Sequence, residues 1–91
     1  MNAHSTPSTN DREKLRSARQ EAYRNLGAVA HYCELAQGHL ERADDEIMML
    51  DVSRIQDYWR AALVALGTIE AARIYAEHLA IASANDSEAA K

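Results

Sequence analysis

His31, Cys33, Glu34 and His39 fall within nine residues of one another and carry the side chains that bind metals or act as nucleophiles. Their spacing restricts the chemistry. On a helix His31 and Cys33 stand about 200° apart and cannot grip one ion from a regular face, whereas His31 and Glu34, three apart, can. A hairpin folded near residue 52 would bring Glu70 and Arg73 opposite Glu34 and His31, and a twofold dimer would then gather two Glu34 and two Glu70 carboxylates. Carboxylate-bridged bundle sites use Glu-x-x-His on two helices. Here the order is His31-x-x-Glu34, and Glu70 is followed by the cationic Arg73. A helical-bundle metal-binding or phosphotransfer protein using His31, Glu34 and Glu70 is therefore the second expectation, and the first must come from elsewhere.

The Ala30-His31 pair resembles the modified site of the histidine phosphotransfer domains, whose histidine follows an alanine and precedes a lysine and a glycine. Glu34 and Leu35 stand in those two places, and a carboxylate repels phosphate. That departure sets the family aside. Cys33 lies between Val29 and Ala36 on an apolar stripe and reads as a small buried hydrophobe. No base is spaced to activate it, and the chain has no glycine-rich phosphate loop and no Ser/His/Asp set. The expectation is a chain that is not an enzyme, with no cofactor and no metal.

Composition agrees with a small helical interaction module. A formal charge of −4 and one cysteine argue against a general nucleic-acid binder and against a disulfide framework. The charge is uneven: residues 11–24 carry Arg12, Lys14, Arg16, Arg19 and Arg24, whereas 34–57 carry seven acids against Arg42 and Arg54. Arg12, Arg16 and Arg19 share a helical face and could touch phosphates, but Glu13 and Glu21 interleave and no aromatic platform accompanies them. Nucleic acid is not expected as a partner. The first residues lack the pattern of a signal peptide, and the longest apolar run, 61–69, is far short of a bilayer span of about 20 residues. The expected location is the cytoplasm.

Those residues must be positioned by two helices. Leu15, Ala18, Ala22, Leu26, Val29, Cys33, Ala36, Leu40, Ala43, Ile47 and Leu50 are separated by threes and fours, the spacing of one helical face. Asn10 with Glu13 forms a capping pair at its start. Gly27 and Gly38 each weaken a helix by about 1 kcal/mol and are candidate bends. Two stretches could turn. Ser53 with Gln56 makes a capping box, which favours a turn at 51–53, while the acids of 43–46 offer a competing helix start. The stripe continues through 43–46, so the later turn is the expectation. A second helix over 54–83 carries its own stripe at Ile55, Tyr58, Ala62, Ala65, Ile69, Ala72, Ala76 and Leu79.

The fold class expected is all-α, an antiparallel helical hairpin that dimerises into a four-helix bundle. Residues 1–9 and 84–91 are expected to be flexible tails around a single domain at 10–83. A domain this small rarely gains more than about 3 to 5 kcal/mol from its own core, so a second chain is the natural staple. Trp59, Leu63 and Leu66 form a spare apolar stripe that one hairpin partner cannot cover. Leu15 and Ala18 are expected to overhang the end of the second helix. The expected partner or dimer interface comprises Leu15, Leu26, Val29, Tyr58, Trp59, Leu63, Leu66 and Ile69. By analogy alone, small acidic helical proteins act as sequestering regulators, adaptors or chaperones. The functional expectation is a non-enzymatic protein–protein interaction module, a homodimer or the ligand of a helical partner.

Overall fold

The computed structural model describes residues 9–89, and of residues 86–89 only the backbone. Two helices account for nearly all of them: α1 (Thr9–Glu41) and α2 (Asp45–Ala89). They pair side by side, and the cross-links run antiparallel: His39 meets Asp51 near the turn, and Tyr32 stacks on Tyr58 farther out. The chain is an all-α hairpin, as its periodicity implies. It measures 70 × 23 × 13 Å, the proportions of a rod one helix layer thick. The first expected tail lies almost wholly outside the described residues, apart from Thr9, which is helical. Residues 84–89, expected in the second tail, continue α2.

The turn falls at residues 42–44, not at 51–53. The N–H of Asp44 donates to the His39 carbonyl at 2.8 Å and that of Ala43 to Leu40 at 3.1 Å. These are the paired bonds of a Schellman closure, which satisfies carbonyls that the end of a helix would leave open. Ala43 sits in the left-handed region at φ 58° to make it. The Asp44 carbonyl then accepts from Met48 at 3.0 Å and starts α2, whose first turn carries Asp45 and Glu46 where the helix dipole favours them. Ser53 and Gln56, the expected cap, lie inside α2. Gly27 and Gly38 do not break α1, which runs through both.

The seam between the helices is built from small residues. Ala18, Ala22 and Ala36 of α1 and Ala62 and Ala65 of α2 are the buried apolar positions, and no large side chain is fully buried among the described residues. On α2 the expected stripe is buried or half-buried at Ile55, Ala62, Ala65, Ile69, Ala72 and Leu79 and extends back to Met48 and Asp51, whereas Tyr58 and Ala76, also expected there, are exposed. On α1 the stripe differs from expectation. The inward positions are Leu15, Ala18, Ala22, Asn25, Val29, Tyr32, Ala36 and His39, an unbroken alternation of threes and fours. Leu26, Cys33 and Leu40, expected inward, stand one residue farther round the helix and are exposed.

The earlier turn also reverses the overhang. Facing residues have numbers that add to about 90, so α2, with 45 residues against 33, runs past the start of α1. Leu15 is not left beyond helix two. It lines an open groove of about 780 Å³ with Ala72, Tyr75 and Leu79.

Candidate interaction face

Along α1, the positions next to the seam on its C-terminal side bear Leu26, Cys33 and Leu40, and Tyr23 projects just outside them. The equivalent positions of α2 bear Val52, Trp59 and Leu66, with Met49 and Leu63 just outside. In an antiparallel pair the two helices are related by a half-turn about an axis perpendicular to both. That operation keeps the same flank of each helix on the same side, so these two rows form one continuous face. Tyr23 is 81% exposed, Leu40 54%, Leu63 49% and Trp59 44%. Gln37 and Gln56 are the polar residues set within this stretch, and Asp45 closes it at the turn.

Several polar contacts hold the turnward half of the hairpin in one register. His39 Nδ1 lies 2.6 Å from Asp51 Oδ2, and Asp51 is 5% exposed. The carboxylate accepts, so the ring donates from Nδ1. This pairing keeps a buried acid from standing alone, which would cost several kcal/mol. Tyr32 and Tyr58 stack with ring centres 5.7 Å apart and planes 12° apart. The Arg54 guanidinium carbon lies 5.5 Å from the Tyr32 ring centre, and its Nη1 donates to the Tyr32 hydroxyl at 3.4 Å. These groups fix which residues of α1 and α2 come level, and so where the two apolar rows meet.

The face changes character toward the open end. α1 there carries Arg12, Arg16 and Arg19, and α2 carries Glu70, Arg73 and Glu77. Arg73 is bound to both glutamates at 2.6 Å. Its hydrogen bonds, and then its charge, hold the Glu70 carboxyl below the ordinary carboxylate value.

The eight residues expected at a partner interface divide evenly. Leu15, Val29, Tyr58 and Ile69 belong to the hairpin's own seam, and Tyr58 is spent on Tyr32. Leu26, Trp59, Leu63 and Leu66 come together on the shared face. Tyr23, Leu40 and Met49 join them: Leu40 stands in the expected first stripe, Met49 reads from sequence as adaptable surface beside Trp59, and nothing in the sequence singles out Tyr23. Cys33 is on this face too, and is not the buried hydrophobe its neighbours suggested.

The metal arrangement is not assembled. With the turn at 42–44, Glu70 comes level with residues near 20, about 20 Å along the axis from Glu34. It does not face His31 or Glu34. Among the described residues no group of three or more His, Cys, Asp and Glu side chains is placed to hold an ion, and no helix is long and apolar enough to cross a membrane. No protein-family model, curated protein or solved structure matches the chain.

Proposed function

We propose that this chain is a non-enzymatic protein–protein interaction module that works by helix–helix packing, and that a second helical hairpin completes it by covering the face built on Leu26, Trp59 and Leu63. One observation carries the reading: among the described residues the hairpin is a single layer with no fully buried large side chain, and Tyr23, Leu26, Leu40, Met49, Trp59 and Leu63, six of its fourteen exposed large apolar residues, share one side that includes its single tryptophan. Leu35, Ile47, Leu50, Val64 and Tyr75 stand on the opposite flank. Domains are ordinarily two packed layers around a core. A contiguous apolar face on a small chain marks an interaction surface. Met49 adds an adaptable side chain there, and Trp59 and Tyr23 are the aromatic types that dominate interface energetics.

The chain has a single tryptophan, Trp59, and that makes the test direct. The purified protein is expected to be larger than a monomer by light scattering, with Trp59 shielded from acrylamide quenching and released on dilution. Replacing Leu26 and Leu63 together by Asp should weaken association by about a hundredfold or more, because a buried unpaired charge is added twice. Helicity at high concentration should persist in part. A fully helical wild-type monomer with Trp59 freely quenched at every concentration would overturn the reading.

A further inference from the structure

With their long axes aligned, two copies of the hairpin can meet face to face about a twofold axis in two ways. With the axis along the hairpin, both turns lie at one end and each α1 rests on the other copy's α2. With the axis across it, the turns lie at opposite ends and like helices rest on each other. We propose that a second copy of this chain docks on the shared face in the first way, as a four-helix bundle with both turns at the same end. The proposal rests on the interaction reading above and specifies its partner and geometry.

Charge decides between the two. The face is apolar from the turn out to Tyr23 and Leu66, and charged beyond. The charged part of α1 has Arg12, Arg16 and Arg19 without an acid on the same flank. That of α2 has Glu70 and Glu77 around a single Arg73, an excess of negative charge. Same-end docking lays the basic stretch of each α1 on the acidic stretch of the other copy's α2, and does so twice by symmetry, while apolar rows meet apolar rows. Opposite-end docking at full overlap puts the arginines against Leu40 and its neighbours, which desolvates unpaired charge. Sliding the copies to avoid this gives up the charged half of each hairpin as interface. The same-end bundle also uses the length of both helices and doubles the 13 Å thickness of the rod.

Spin labels distinguish the arrangements. Glu13 and Glu41 are exposed on the outer side of α1, one near each end. Glu13→Cys and Glu41→Cys, each in a Cys33→Ala chain, would be labelled and the distance between copies measured by double electron–electron resonance. Same-end docking predicts similar separations for both sites, below about 40 Å, since the bundle is two interaxial spacings wide. A dimer in which the two sites give clearly different separations, with the Glu13 labels more than about 50 Å apart if the copies have slid or the Glu41 labels the farther pair at about 50 Å if they overlap fully, overturns the arrangement and leaves self-association standing. A helical monomer overturns docking of a second copy altogether, which the light-scattering measurement on the unlabelled chain reports independently.

Discussion

His39 does three jobs. Its carbonyl accepts from Asp44 to close the turn, its ring binds Asp51 at 2.6 Å, and as the basic residue in the last turn of α1 it sits where the helix dipole is negative. Among the described residues Asp51 has no partner other than His39, and it is nearly buried, so the value of the pair lies in what its loss exposes. His39→Ala is expected to cost about 3 to 5 kcal/mol in urea unfolding, the penalty for removing one partner of a buried pair. Replacing both residues by Leu should recover most of that, because two apolar side chains of similar size need no partner. If the double variant were as unstable as the single one, the pair would be contributing more than mutual satisfaction. Asn25, Tyr32 and His39 explain why the α1 seam was misread from sequence. A rule that admits only apolar residues steps from Ala22 to Leu26, then to Cys33 and Leu40, one residue off the true line each time. These inward positions are polar but partnered: Asn25 donates to the Glu21 carbonyl of its own helix, Tyr32 stacks on Tyr58 and accepts from Arg54, and His39 binds Asp51, and the last two pairings are visible only once the register is known.

At the level of the helices, α2 was legible almost throughout because its seam holds to apolar and small residues from Ile55 to Leu79. Its start was not. Ala43 is an alanine where a left-handed closure ordinarily uses glycine, so the sequence there carries no turn signal beyond the acids of 44–46. The displaced first stripe, which ran through Ile47 and Leu50, argued for continuous helix and outweighed them. With the turn misplaced, the facing of Glu70 and Glu34 was misplaced as well. Gly27, which looked like a bend, and Gly67, which did not, are a different matter. A Cβ added at Gly27 or at Gly67 meets nothing within 4 Å, and both positions are exposed and helical. Gly27→Ala and Gly67→Ala should each stabilise the protein by about 1 kcal/mol in chemical denaturation, through helix propensity alone. A destabilising Gly67→Ala would mean that another chain approaches the backbone there.

The molecule as a whole is a rod. Its radius of gyration is 20.5 Å, where a compact chain of this length would have about 12 Å. The shape follows from the seam, since alanines bring two long helices together without giving them a thick core to wrap around. The proposed docking of a second copy on the face carrying Trp59 would add to the stability of the pair, and on that proposal the unfolding midpoint should rise with protein concentration.

The left-handed Ala43 has one more consequence, and it concerns the order of folding. His39 and Asp51 are twelve residues apart along the chain and Tyr32 and Tyr58 twenty-six, so each pair nearer the open end must close a longer loop. The helices should therefore zip from the turn outward, with the closure at residues 42–44 already formed at the barrier. Ala43→Gly removes the left-handed strain, worth about 1 kcal/mol. In stopped-flow refolding it should speed folding severalfold while leaving unfolding nearly unchanged. A change in the unfolding limb instead would place the turn late, and the rod would have to assemble from its middle.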